Sequence, residues 1–249
     1  MSKKSQSFQQ QLAALAQRIG PQYRQRTADN IQMLLDNGVS SFRALLKSVN
    51  DDTKPLEARV TACWLLPRLK PTKRQQEQIA DALLSLFSAE DADLRYQAVI
   101  GVGDLHIVSD DAIRALEALI DSSSDVETRK LAVYSYGRIA NSEGVDILIS
   151  VIRNQAEDAS LRGMAVEAVS NIGDGSLAPM LIDLLSDPSD EVRFWSAFSL
   201  GIVGGEDAIP ALMRLANEDH KVLPGWGSVS DEAVNAIENI KRSSIDVVL

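Results

Sequence analysis

Small and apolar residues recur along this chain at helical spacing, and the pattern itself repeats every 31 to 36 residues. Five segments align on an arginine, and the residues three, seven and ten positions later are small, apolar or aromatic. The five arginines are Arg59, Arg95, Arg129, Arg162 and Arg193, and a last copy has Ser230 at this position. Steps of three, four and three residues place side chains on one face of an α-helix. The pattern therefore predicts a series of similar helices, each with one buried face.

A second apolar segment lies between successive copies of the first. Its common register position holds Leu116, Leu148, Leu181 and Leu212. The β-branched residues follow the helical period, and no tight turn separates two alternating runs, so no strand is predicted. A pair of helices repeated along a chain is an α-solenoid. The predicted fold class is all-α.

The stretch "DEVRFWSAFSLGIVGGEDAIPAL", residues 190–212, resembles the HEAT repeat in the short form found in proteins of the phycobilisome-lyase type. The resemblance implies that the arginine-bearing helix of each pair is the inner one and that its partner is the outer one. About six pairs are expected, with outer helices near 39–50, 73–88, 110–121, 143–155, 175–186 and 206–217. The expected organisation is a single domain over 1–249, with capping helices in 1–38, repeats in 39–241 and a tail in 242–249.

Acidic residues precede four of the five register arginines by three or four positions. They are Asp91, Asp125, Asp158 and Asp190. The resemblance to HEAT proteins implies an Asp–Arg ladder that ties successive repeats together, and a guanidinium suits such repeated contacts because it donates several hydrogen bonds in one plane. The alternative is that the arginines bind a ligand. We expect the structural role.

Six aromatic residues lie on the arginine-bearing helices at positions outside the core register. They are Trp64, Tyr96, Tyr134, Phe194, Trp195 and Phe198. They either fill contacts between adjacent repeats or line an exposed binding surface, and Trp195 and Tyr96 are the two expected to be exposed to a partner. Trp226 lies in a loop over 221–228 that is rich in turn residues. It is expected to pin the loop to the array, and the alternative is that it contacts a partner.

Charge is distributed unevenly along the 249 residues. Residues 1–74 carry a net charge of +8 and residues 75–249 a net charge of −18. The acidic body disfavours a nucleic-acid groove along the molecule, although the basic first third suits an acidic partner. No apolar run is long enough for a membrane span, no signal peptide is recognisable, and Cys63 is the single cysteine. A cytoplasmic protein is expected.

Catalytic patterns are nearly absent from the sequence. The two histidines, His106 and His220, are followed by Ile107 and Lys221, whereas HEAT-like di-iron hydroxylases require several His-Glu pairs. No glycine-rich loop joins a strand to a helix, so no phosphate site is indicated. No catalytic residue, metal or cofactor is therefore predicted, and an enzymatic role is disfavoured.

The repeat pattern and the aromatic residues favour a non-enzymatic scaffold that binds a protein or peptide on its inner helices. The resemblance implies an alternative, which is a bilin lyase subunit or chaperone-like factor that holds an open-chain tetrapyrrole beside a phycobiliprotein. A nucleic-acid binder that uses the basic first third ranks below both. The sequence makes no prediction of oligomeric state.

Overall fold

The computed structural model describes residues 8, 10–12, 15, 21–36, 39–106, 108–122, 125–140, 144–173 and 175–246. The chain folds as two compact units, Met1–Leu116 and Glu117–Leu249, which are called the first and second units below. Each unit is built from helix pairs, so the predicted all-α solenoid class is confirmed. The expectation of one continuous domain over 1–249 stays a prediction.

The first unit contains α1 (Pro21–Asp36), α2 (Phe42–Val49), α3 (Leu56–Leu65), α4 (Lys73–Leu84), α5 (Ala92–Asp104) and the start of α6 (Asp110–Ser122). The inner helices α3 and α5 pack on each other, while α2 packs on α3 and α4 packs on α5. The helix α1 covers α3, as a cap does. The other capping helix, predicted near 6–19, lies mostly outside the described residues.

The second unit continues with α7 (Val126–Ile139), α8 (Val145–Arg153), α9 (Ala159–Ile172), α10 (Ala178–Leu184), α11 (Asp190–Val203), α12 (Ile209–Glu218) and α13 (Val229–Asp246). The inner helices α7, α9, α11 and α13 pack side by side in chain order. The outer helices α8, α10 and α12 each pack on the inner helix that follows. The helix α13 continues to Asp246, so it includes most of the predicted tail.

The core lies where the sequence period places it. The residues three positions after each register arginine are fully buried: Ala62, Ala98, Ala132, Ala165 and Ser196. The four register leucines of the outer helices are also fully buried: Leu116, Leu148, Leu181 and Leu212. Small residues bring neighbouring inner helices close together, because a Cβ on Gly137 would lie 2.6 Å from the Cβ of Ala168. The helical register of the sequence is therefore the packing register of the fold.

A short hairpin interrupts the helical pattern between α12 and α13. Its strands, β1 (Val222–Leu223) and β2 (Gly227–Ser228), pair antiparallel, so the prediction of no strand was wrong here. Gly225 and Gly227 have φ of +85° and +122°, which side-chain-bearing residues rarely adopt. Glycine at these two positions therefore suits the backbone conformation of the turn around Trp226. No helix formed by the described residues is both long and apolar enough to cross a bilayer.

Candidate functional site

A cavity of about 370 Å³ opens on the inner helices of the second unit, beside the hairpin. Three inner helices and the hairpin turn contribute to its walls. The lining residues are Tyr134 on α7, Ser160, Met164 and Glu167 on α9, Glu191 and Trp195 on α11, and Leu223, Pro224 and Trp226 on the hairpin. Its size lies within the range of ligand and side-chain pockets in proteins.

The helical period explains why these side chains face the cavity. The cavity-lining residues that belong to helices lie two positions before, two positions after or five positions after a register arginine. At 100° per residue these offsets point away from the core positions at three, seven and ten, so they lie on the opposite face of each inner helix. The cavity therefore lies on the surface that the inner helices turn away from the outer layer.

Trp195 forms the floor of the cavity and is buried, with only 7% of its surface exposed. A Cβ on Gly163 of α9 would lie 2.8 Å from Cδ1 of Trp195, so the indole lies directly against that helix. Phe194, Phe198 and Trp226 pack edge-on around it, with ring centroids 4.9 to 5.4 Å away. The expectation that Trp195 is an exposed anchor is corrected, because a glycine on the neighbouring helix leaves room for its ring.

Trp226 covers part of the cavity and remains 65% exposed. Its ring centroid lies 4.9 Å from that of Trp195 at an interplanar angle of 71°. Its backbone N–H donates to the carbonyl of Leu223, and the N–H of Val229 donates to the carbonyl of Lys221, so the turn is closed on both sides. Contact with Trp195 and exposure to solvent thus occur together in this side chain.

The other predicted aromatic residues are distributed over both units. Phe194 is 3% exposed, and Phe198 and Tyr134 are half-buried. In the first unit Tyr96 is 43% exposed, and Trp64 is half-buried with the guanidinium of Arg68 5.0 Å from its ring. The structure therefore brings Tyr134, Trp195 and Trp226 to one cavity. Phe194 and Phe198 do not line the cavity but pack against the ring of Trp195.

Arg129, Arg162 and Arg193 contact the next repeat, whereas Arg59 and Arg95 bond only within their own helix pair, and the partners of the arginines differ from the predicted aspartates. The ion pairs are Arg59 with Asp52, Arg129 with Glu157, Arg162 with Asp187 and Arg193 with Asp219. Arg95 donates to the backbone carbonyls of Ala89 and Glu90. In the second unit each acidic partner lies 25 to 28 residues after its arginine in the sequence. It belongs to the loop between the two helices of the next repeat.

The four aspartates of the predicted ladder serve the helix starts instead. Asp91, Asp125 and Asp158 are the N-caps of α5, α7 and α9, where their carboxylates accept backbone N–H groups. Asp190 is the first residue of α11 and accepts the N–H of Glu191. The pairing of these aspartates with the arginines is corrected: a carboxylate this close to a helix N-terminus is held by the free N–H groups of the first turn.

One ion pair of this set holds the hairpin beside the cavity. The Nε of Arg193 donates to Asp219 at 2.6 Å, and the other carboxylate oxygen of Asp219 accepts the N–H of Lys221. Burial opposes ionisation of Asp219, but these hydrogen bonds outweigh it and hold its pKa below the usual range. The inter-repeat contact therefore fixes the start of the hairpin that carries Trp226.

Two glutamates face the cavity without a hydrogen-bond or ion-pair partner among the described residues. They are Glu167 and Glu191, both half-buried. Burial disfavours the charged form of Glu167 and raises its pKa. No lysine or arginine belongs to the described lining. The site thus combines aromatic walls with uncompensated carboxylates.

Sequence reasoning missed Glu167, Glu191 and Met164. Their offsets from the register arginines were nevertheless visible, because Glu167 occupies the position of Tyr134 in the preceding repeat and Met164 that of Trp195 in the next. The contribution of Leu223 and Pro224 has no such signal, since the hairpin lies outside the repeat.

Comparison with known families finds a match to HEAT repeats over residues 79–158 and 145–223, more than half of the chain. Among curated proteins, the deoxyhypusine hydroxylase of Candida albicans is 31% identical over 99 residues, which cover 40% of this chain and 30% of that protein. The chain spans about a third of the length of the curated relatives it matches.

Two solved structures share the fold at low sequence identity. Kap95p, in a structure that describes its binding to RanGDP, aligns with a TM-score of 0.54 and 13% identity over 96% of this chain and 41% of that chain. The Cnd3–Cnd2 condensin subcomplex of S. pombe aligns with a TM-score of 0.53 and 20% identity over 82% of this chain and 27% of that chain. These likenesses concern the fold alone.

The residues present do not fit the metal chemistry that HEAT-like hydroxylases would imply. The chain has two histidines, His106 and His220, and neither is followed by glutamate. The described residues contain no group of three or more histidine, cysteine, aspartate or glutamate side chains placed to hold a metal ion.

Proposed function

The chain belongs to the HEAT-repeat family, and from this we propose that it is a non-enzymatic scaffold that binds a protein or peptide segment in the cavity beside the hairpin. The observation that carries the proposal is Trp226, which is 65% exposed at the rim of a cavity of about 370 Å³ and is held there by the hairpin. An exposed large aromatic ring loses contact with water when a partner covers it.

Interface energetics support a binding role for this site. Tryptophan is among the residues that contribute most to binding, typically about 2 kcal/mol or more, when it lies in a pocket that excludes water. Trp195 and Trp226 provide a preformed aromatic wall, so little side-chain entropy is lost on binding. A single extended segment with one anchoring side chain matches a cavity of this size.

The family and the neighbours support a binding role without specifying the partner. Solenoids present extended surfaces along their repeats, and the same fold serves many functions. Kap95p, which shares the fold, binds another protein, RanGDP. The single cysteine supports placing the protein in a reducing compartment such as the cytoplasm.

The proposal is tested by selecting binders from a random peptide library displayed on phage, with the whole chain as the target. Selected peptides are expected to bind the Trp226→Ala variant about tenfold or more weakly by isothermal titration calorimetry. Val222→Ala is the matched control, because Val222 is 68% exposed on the same hairpin and does not line the cavity. Failure to select any peptide, or equal affinity for both variants, would contradict the proposal.

A further inference from the structure

We propose that the cavity selects a cationic side chain, arginine or lysine, so that the bound segment is basic at its anchoring position. This inference rests on the scaffold function proposed above. It names the chemistry of the partner from the charges and rings that the cavity brings together.

The aromatic walls provide the first part of the selection. Trp195 and Trp226 line the cavity without a cation among the described residues, and the face of each indole ring carries partial negative charge. A guanidinium or ammonium group over such a face is stabilised by about 0.5 to 2 kcal/mol, the larger values applying where water is excluded. Tryptophan is the best of the aromatic residues for this contact.

The carboxylates provide the second part. Glu167 and Glu191 line the same cavity, and neither side chain is hydrogen-bonded or ion-paired within the described part of the chain. Burial disfavours the charged form of Glu167, and a cation bound beside it would stabilise that form. The free protein thus carries an electrostatic cost that a basic partner relieves.

Two inner helices supply their own cation to an aromatic ring, and one of these rings, Tyr134, lines the cavity. The guanidinium of Arg68 lies 5.0 Å from the ring of Trp64, and the guanidinium of Arg138 lies 5.5 Å from the ring of Tyr134. In both pairs the arginine follows the aromatic residue by four positions. On α11 the residue four after Phe198 is Ile202, so this helix offers no arginine at that position. Within the cavity, Trp195 and Trp226 have no such cation among the described residues, whereas the ring of Tyr134 already has Arg138.

The charge of the second unit favours the same partner over longer distances. Residues 117–249 contain 22 aspartates and glutamates against 10 lysines and arginines, a net charge of −12. A field of this sign attracts a basic segment and repels an acidic one, and salt weakens the attraction. The long-range attraction to the second unit and the contacts within the cavity therefore both favour a positively charged segment.

The test compares a tetra-arginine peptide with its citrulline counterpart, which has nearly the same shape but no charge. Binding to the whole chain is followed by tryptophan fluorescence and by calorimetry. We expect the citrulline peptide to bind about tenfold or more weakly, and a tetra-lysine peptide to bind between the two. Equal binding of the charged and uncharged peptides would overturn the inference.

Variants separate the cavity from general attraction. Glu167→Gln and Glu191→Gln should each weaken tetra-arginine binding about threefold or more, because each removes a charge beside the bound cation. Glu238→Gln is the matched control: it removes one charge of the same unit from an exposed position on α13 outside the cavity. The affinity of Glu238→Gln for tetra-arginine should stay within about twofold of that of the parent protein. Equal losses in all three variants would overturn the inference in favour of unspecific attraction.

The two proposals fail in distinguishable ways. If peptides selected from the library lose affinity with Trp226→Ala but carry no basic residue, the cation selection is wrong and the scaffold function stands. If tetra-arginine binds with the expected dependence on Glu167 and Glu191 and is weakened by Trp226→Ala, the inference holds independently of which library peptides are selected. If Trp226→Ala affects no peptide, both proposals fail.

Discussion

Replacing Arg162 by alanine tests how much the inter-repeat arginines contribute to stability. Its guanidinium makes two hydrogen bonds to Asp187, at 2.6 and 3.1 Å, and its Nε donates to the carbonyl of Ile152 at 2.8 Å. Both side chains of the ion pair are 3% exposed. The substitution therefore leaves a buried carboxylate with the N–H of Ser189 and the amide of Gln155 as its remaining partners.

The expected loss is about 3–5 kcal/mol of unfolding free energy, because removing one partner of a buried ion pair leaves the other charge uncompensated. Arg59→Ala is the internal comparison. Arg59 has the same register position and donates to the carbonyl of Val49, but its partner Asp52 has a side chain that is 85% exposed. An exposed pair contributes about 0–1 kcal/mol, and the backbone hydrogen bond adds about 1 kcal/mol.

Urea titration followed by far-ultraviolet circular dichroism measures both losses. The pH dependence provides a second readout. Burial favours the neutral form of Asp187, but the hydrogen bonds from Arg162, Ser189 and Gln155 outweigh burial and lower its pKa in the folded protein. A carboxyl whose pKa is lower when folded stabilises the fold above its unfolded pKa, about 3.9, and loses that contribution as the pH falls through the folded value.

Without Arg162 the effect of burial is no longer opposed by a cation. The difference in stability between the parent and Arg162→Ala should therefore be largest near neutral pH and shrink below about pH 4, where Asp187 takes up a proton more easily in the variant. A loss of less than about 1 kcal/mol, or a loss equal to that of Arg59→Ala, would refute the reasoning that burial of the pair makes it structural.

Four other outcomes are expected. Trp195→Ala should lower the unfolding free energy by about 3–5 kcal/mol, because it empties the site beneath Trp226; an unchanged melting temperature would show that the ring is not packed. Gly163→Ala should destabilise by about 1–3 kcal/mol despite the better helix propensity of alanine, because its Cβ meets the indole of Trp195, and a stabilised variant in a thermal melt would contradict that contact. Burial raises the pKa of Cys63 to about 12, so Ellman's reagent at pH 8 should react with it only after denaturation, and rapid reaction in the native protein would contradict the burial. Incubation with a bilin should give no shifted visible band, and such a band would favour the lyase role over the scaffold.

The ladder and the site are physically connected in the second unit. Arg193 holds Asp219, and Asp219 in turn holds the N–H of Lys221 at the start of the hairpin. Loss of this ion pair would remove one of the contacts that fix the start of the hairpin that carries Trp226. An inter-repeat contact therefore helps to position a loop of the proposed binding site that is not itself part of the repeat.

Periodicity alone was enough to predict the helices, their pairing and their core. Ala132, Ala165 and Leu148 are fully buried where the spacing placed them, since an α-helix has a fixed number of residues per turn and one buried face. The arginine register was equally visible, because five of the repeats have arginine at the same position of the inner helix. Local sequence carries this information since neighbouring repeats are the main contacts in a solenoid.

The partners of those side chains were decided only in three dimensions. Arg162 pairs with Asp187, 25 residues away, while the nearer Asp158 is held by the N-terminus of its own helix. Trp195 is buried because Gly163 lies opposite it on another helix. Trp226 meets Trp195 because two glycines with positive φ turn the hairpin over α11. Sequence by itself determined which face each side chain occupies, because that depends on residues within one helix. Which side chain packs against it on that face depends on the spacing between helices and on the geometry of the loops. Only the tertiary structure decided these.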